Sequence, residues 1–177
     1  MNILIKMPTR GRVEQFFNCL DDHYKYLANK EKTRFIISCD TNDESMNNDE
    51  VRQRFLLYDN LKVVYGESES KIHAVNRDLD GEDFDIIIAS SDDMFPEVDG
   101  YDDIIRSKML EHYPDTDGTL WFFDGYNPDV PTLSIMGKRY YDRFGYIYHA
   151  SYISLWADAE HRELGYKLGK IQKIDDV

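Results

Sequence analysis

The sequence predicts an open α/β sheet with helices on both faces, and three observations predict it. Near-continuous apolar runs, ILIKM, RFIISC, LKVVY and FDIIIA, recur through the first half of the chain, as expected of strands covered on both faces. Between them lie segments whose apolar residues repeat with helical period, the alternation of a layered α/β domain. Each run then stops abruptly in polar or ionisable residues: PTRGR, DTNDE, GESES and SSDD.

The first strand covers residues 3–7 and ends at Pro8, which cannot donate to a ladder. Val13, Phe16, Phe17, Leu20, Tyr24 and Leu27 then share one helical face. Residues 34–39 form the second strand, closed by the polar cluster 40–44. A helix over 49–58 turns Val51 and Phe55 inward, and residues 61–65 form the third strand. After the polar stretch 66–70, residues 71–79 read as a short helix. Residues 84–89 are the most hydrophobic run and break into Ser90-Ser91-Asp92-Asp93. A helix over 101–113 has Ile104, Ile105 and Met109 as its apolar positions. Beyond Gly118 the alternation loosens, with strands expected at 120–123 and 132–136 and a last helix over 154–168. No repeat or low-complexity linker interrupts the chain, so one domain over 1–177 is expected.

The 177 residues carry 21 Lys+Arg against 34 Asp+Glu, a net charge of −13. That balance repels nucleic acid and anionic membrane surfaces. It leaves room for a phosphate-bearing small ligand bridged to carboxylates by a divalent cation. A hydrophobic fraction of 42% excludes a solvated acidic tail. Cys19 and Cys39 do not make a disulfide framework or a metal-ligand spacing. No stretch approaches membrane-spanning length, so a soluble, cytoplasmic protein is expected.

In open α/β sheets ligands bind beyond the carboxyl ends of the strands, and here those ends collect ionisable groups. Adjacent Asp92 and Asp93 repel each other, which a hard cation would relieve; otherwise they form a solvated turn or a helix cap. The dinucleotide fingerprint and the Walker loop are both missing. Pro-Thr-Arg stands where a haloacid-dehalogenase-type phosphatase needs its nucleophilic Asp.

The ordered set resembles the family-2-like glycosyltransferases of the GT-A fold. MPTRGR matches their Pro-Thr-x-Asn/Arg loop after the first strand, and CDTNDES their Asp-Asp-x-Ser-x-Asp segment after the second. KIHAVNRDL is similar to their Gly-Lys-x-x-Ala-x-Asn helix, and IIIASSDDMFP to the strand bearing Asp-x-Asp. The resemblance implies a single GT-A-like domain with an open, mostly parallel mixed sheet. Residues 1–100 would be its nucleotide-binding half and 101–177 its acceptor and catalytic half.

It further implies a donor that is a nucleotide-diphosphate sugar, UDP-sugars first, and an acceptor hydroxyl. Asp40 would meet the base edge, with Pro8, Thr9 and Arg10 lining the base and ribose. Lys71 and Asn76 would lie near the nucleotide or its phosphates. Asp92 would touch the ribose or a metal, and Asp92 or Asp93 would hold Mn2+ or Mg2+ on the diphosphate. The chain departs from the pattern at Ser90, which stands where the first Asp of Asp-x-Asp belongs.

An inverting transferase also needs a base for the acceptor proton. The resemblance places it at the start of a late helix, where Asp158 is the candidate and Glu160 the competitor; Asp158 could instead simply favour the helix dipole. His149 is a weak third metal ligand and His161 another, although a lone His is more often a hydrogen-bonding residue. Trp121, Tyr126 and Trp156 could stack on a sugar ring, Trp121 more naturally as core. Asp124 is a weak sugar contact, and Lys138-Arg139 a basic pair open to phosphate or solvent. Asp21-Asp22 and Asp102-Asp103 fall on helix surfaces and would serve solubility. A catalytically inactive nucleotide-sugar-binding domain and a nucleotidyltransferase stay open as alternatives. Donor hydrolysis would set the transferase apart from the first, and nucleoside-triphosphate binding would mark the second.

Overall fold

A computed structural model describes residues 1–125 and 127–175. Strands β1 (Ile3–Thr9), β2 (Thr33–Asp40), β3 (Leu61–Gly66) and β4 (Ile86–Ala89) alternate with helices α1 (Val13–Tyr26), α2 (Asp49–Phe55) and α3 (Lys71–Asn76). Helix α4 (Tyr101–His112) leads to β5 (Thr119–Phe122), β6 (Ser134–Gly137), α5 (Lys138–Tyr141), α6 (Ala157–Leu168) and β7 (Ile171–Ile174). The seven strands form one sheet in the order β3-β2-β1-β4-β6-β5-β7. β1 runs parallel to β2 and β4, and β2 to β3, while β6 is antiparallel to β4 and β5 and β7 is parallel to β5. The expected mostly parallel mixed sheet is therefore present.

Side chains alternate across a strand, and this splits the core into two layers. Ile3, Ile5, Met7, Phe35, Ile37, Cys39, Ile86 and Ile88 face one side, where Phe16, Phe17 and Leu20 of α1 and Met109 of α4 cover them. Leu4, Ile36, Ile87 and Ala89 face the other, against Ile72 and Val75 of α3, Tyr140 of α5 and Ala157 of α6. Each fully buried Ile or Leu contributes about 1.5–3 kcal/mol, so these layers hold the carboxyl ends of β1, β2 and β4 at one rigid edge.

Several boundaries differ from the sequence reading. α3 stops at Asn76 because Asp78 takes a left-handed backbone, φ 69°. α6 starts at Ala157 rather than 154, because Trp156 is left-handed at φ 73°. α5 and β7 are new; β7 is short and half-buried at the sheet edge, so its apolar signal is weak.

Asp102 does not serve solubility. It is fully buried, accepts from the Ala28 and Asn29 backbone N–H groups at 2.8 and 3.0 Å, and pairs with Arg106 at 2.6 Å. Among the described residues no helix is long and apolar enough to cross a membrane.

A second buried carboxylate makes stability depend on pH. Asp117 is hydrogen-bonded by Arg143 and Lys170, and the Arg143 bond above all holds its pKa at about 2. A depressed folded-state pKa contributes stability that is complete above the unfolded value of 3.8 and lost as pH falls through about 2. Both partners are partly exposed, which discounts the effect to about 1 kcal/mol. Asp117→Asn is expected to lower urea-unfolding stability by that amount near neutral pH. The gap to wild type should narrow steadily from about pH 4 downward; a gap independent of pH would contradict the assignment.

Candidate functional site

The carboxyl ends of β1, β2, β3 and β4 present Thr9, Asp40, Gly66 and the Ser90–Asp93 loop at one edge. Gly11, left-handed at φ 73°, makes the turn after β1. Its N–H donates to Asp43 Oδ2 at 2.7 Å, and Ser45 Oγ donates to Asp43 Oδ1 at 2.5 Å. Burial raises the Asp43 pKa, but the Ser45 and Gly11 hydrogen bonds outweigh it and leave the group below the usual carboxylate range.

The turn aims two arginines at different carboxylates. Arg10 Nη1 donates to Asp40 Oδ2 at 2.5 Å and to Asn42 Oδ1 at 2.8 Å. Arg12 reaches Asp92 with a short hydrogen bond through Nη2 and lies 3.4 Å from Asp93 Oδ2 through Nη1. Thr9 Oγ1 donates to the other Asp92 oxygen at 3.2 Å. Asp92 is 1% exposed; burial raises its pKa, and Arg12 and Thr9 only partly offset the rise. Asp93 lies below the usual range, chiefly through the Ser91 hydroxyl, with Arg12 and Lys71 adding to the effect.

Behind Asp40 stands a network that sequence reasoning missed. Arg77 donates to Cys39 O at 2.8 Å, Ser68 Oγ at 2.9 Å and Asp78 Oδ2 at 2.7 Å, and lies 3.9 Å from Asp40 Oδ1. A side chain at Gly66 would meet the Arg77 guanidinium at 2.7 Å and push it from this position. Lys6, wholly buried in β1, bonds Ser38 Oγ and lies 3.7 Å from Asp78 Oδ2; burial drives its pKa down to about 8. A lysine inside an otherwise apolar run was the one available signal.

The remaining expectations sort themselves by contact. Ser90 turns away from the edge into the core, 3.3 Å from His23 Nε2. Pro8 lies within β1 rather than after it. Lys71, exposed at the first position of α3, faces Asp93 electrostatically. The Asn76 amide is taken up by backbone: its Nδ2 donates to Tyr148 O at 2.6 Å, and Ile147 and Tyr148 N–H donate to its Oδ1 at 2.9 and 3.2 Å. This fastening, with Ile72 N–H donating to Ile153 O at 3.4 Å, lays residues 147–153 across α3.

Asp158 follows in the first turn of α6, half-buried and accepting from Ala159 N–H at 2.8 Å; burial, with the Asp158 charge adding to it, raises the Tyr148 phenol pKa. His149 accepts from Ser151 N–H at 3.2 Å. His161 is buried between Thr119 and Ser134, and burial lowers its pKa to about 4. Trp121 is core, and Trp156 is 72% exposed. Asp124 caps its own loop through Asn127 N–H and Thr132. Lys138 and Arg139 pair with Asp142 and Asp115. Tyr126 lies outside the described residues.

Asp92 and Asp93 close on one shared cation, the Arg12 guanidinium. Two carboxylates directed at one point match the partial protein coordination of a divalent cation whose remaining ligands are substrate phosphates and water. Among the described residues no three His, Cys, Asp or Glu side chains form a metal group.

No protein-family profile and no curated protein sequence matches the chain. Solved structures do. A mannosyltransferase from Pyrobaculum calidifontis, in complex with GDP-Man and Mn2+, superposes with a TM-score of 0.76 at 16% identity over 99% of this chain and 55% of its own. TarS of S. aureus (residues 1–349), in complex with UDP-GlcNAc, gives 0.75 at 15% identity over 100% of this chain and 57% of its own. A 4-diphosphocytidyl-2C-methyl-D-erythritol synthase from Anaerococcus prevotii gives 0.63 at 14% identity, covering 98% of this chain and 86% of its own. The fold is GT-A, and the chain spans little more than half the length of the mannosyltransferase and of TarS 1–349.

Proposed function

We propose that this domain is a glycosyltransferase that moves a sugar from a nucleoside-diphosphate sugar, UDP-sugars first, to an acceptor hydroxyl with inversion. The observation that carries the reading is the single edge on which Asp40, Asp92 and Asp93 meet Arg10, Arg12 and Thr9. Asp40 and Arg10 offer an acceptor beside a donor, the pair a base edge requires. Pro8 and Thr9 flank the ribose, and Lys71 stands over the diphosphate path. Asp92 and Asp93 would hold Mn2+ or Mg2+, which when bound stabilises negative charge on the leaving diphosphate.

On the acceptor side, Asp158 accepts the hydroxyl proton. Just before it, Ile153, Leu155 and Trp156 are 75%, 76% and 72% exposed, an apolar face suited to the C–H side of a sugar. The free, buried thiols of Cys19 and Cys39 suit a reducing, cytoplasmic setting.

A nucleotidyltransferase is the second reading, favoured by the 86% coverage of the synthase. A thermal-shift panel separates the two. Nucleoside-diphosphate sugars with Mn2+ should raise the melting temperature, equivalent to about 2.7 kcal/mol at a hundredfold excess over Kd, and Asp92→Asn should abolish that rise. Stabilisation by a nucleoside triphosphate alone would move the function to nucleotidyl transfer. Donor binding without any donor hydrolysis would favour a binding domain.

A further inference from the structure

The Arg12 guanidinium stands where a divalent cation would stand. It touches the buried Asp92 and the partly exposed Asp93 at once, while its own side chain is 49% exposed. A buried carboxylate is costly without a counter-charge, and Thr9 is neutral, so the Arg12 guanidinium is the counter-charge set against Asp92 inside the edge. The Arg12 backbone opens α1 through its carbonyl, but its side chain caps nothing. The guanidinium can therefore leave for solvent without unravelling the helix.

We infer that Arg12 is a resident counter-ion that competes with the divalent cation for Asp92 and Asp93, and that the donor diphosphate releases it. The inference rests on the proposed cation site and adds a coupling to it. A guanidinium binds phosphate with the same two-pronged geometry that it uses on carboxylate. An arriving diphosphate thus draws Arg12 away, uncovers two carboxylates and removes a repelling positive charge. Cation and nucleotide then bind cooperatively, each strengthening the other by the same factor.

The test is Mn2+ binding followed by electron paramagnetic resonance on the intact chain, with and without UDP. Wild type should bind Mn2+ weakly alone and at least tenfold more tightly with UDP. Arg12→Gln should bind Mn2+ alone at least tenfold more tightly than wild type and gain less from UDP than wild type does, the gain that remains being the direct contact of phosphate with the cation. Its melting temperature should fall without metal and recover with Mn2+, a rescue that a purely structural arginine would not give.

Equal Mn2+ affinity of Arg12→Gln and wild type in the absence of UDP overturns the inference. If wild type with UDP still binds Mn2+ in that case, the cation site itself stands. Absence of Mn2+ binding under every condition removes both. Should Arg12→Gln not fold, Arg12→Lys decides. The shorter ammonium covers one carboxylate, so Mn2+ alone should bind at least threefold more tightly than to wild type, and no gain overturns the inference.

Discussion

Asp158→Asn is expected to remove sugar transfer while leaving nucleotide binding unchanged. A general base contributes about 10^2–10^4-fold to rate, and Asn cannot accept the acceptor proton. Asp158 sits in the first turn of α6 and serves the acceptor in the proposed site, whereas Asp40 and Asp92 carry the donor. Donor affinity should therefore hold in thermal-shift or calorimetric titration while product formation falls at least a hundredfold. The alternative role, a carboxylate favouring the helix dipole, is worth about 0.3–1 kcal/mol of stability and predicts no loss of turnover in a folded protein. Turnover retained in Asp158→Asn and lost in Glu160→Gln would transfer the role to Glu160, one half-turn along and electrostatically close to Tyr146.

The legible part of the fold was the part with strong local physics. The apolar runs of β1, β2 and β4 are buried on both faces, so their hydrophobicity reported them directly, and the residues that ended them became the edge; β3, an apolar run too, is only half-buried at the sheet edge. Asp40 and Asp92 could be found because a carboxylate at the mouth of a buried strand is conspicuous. β7 could not, being four residues, three of them half-buried, whose place depends on pairing with β5.

The charges inside the fold were hidden for a different reason. Asp102 looks like any acidic residue in a helix's first turn until two backbone N–H groups of the α1–β2 connection, 73 and 74 residues earlier, turn out to need it. Arg77 and Asp78 follow a helix whose end depends on the left-handed backbone at Asp78. Neither residue carries a local mark of the contact with Asp40 that it supports. Long-range hydrogen bonds leave no periodicity, so a motif can be read at the right place with the wrong task.

Asn76 is the sharpest instance, and its substitution should have the larger effect on stability. The motif resemblance assigns it to the nucleotide, whereas its amide oxygen and nitrogen are engaged by Ile147 and Tyr148 backbone. Asn76→Ala leaves two N–H groups and one carbonyl without that partner. An unsatisfied group costs about 1–3 kcal/mol when buried; with the amide partly exposed, a total of about 2–3 kcal/mol is expected. For a chain of this length that is a fall of roughly 4–12 °C in melting temperature.

The loss should also reach chemistry, because residues 147–153 lead from α3 to the start of α6. Loosening their fastening displaces Asp158 from the donor, and a displacement of about 1 Å can cost 10^2-fold in rate. Below its melting temperature the variant should therefore bind nucleotide like wild type and transfer sugar poorly. The opposite pattern, an unchanged melting temperature with nucleotide affinity lost, would return Asn76 to the nucleotide site. The two measurements separate the roles because stability reads the backbone contacts and affinity reads the donor.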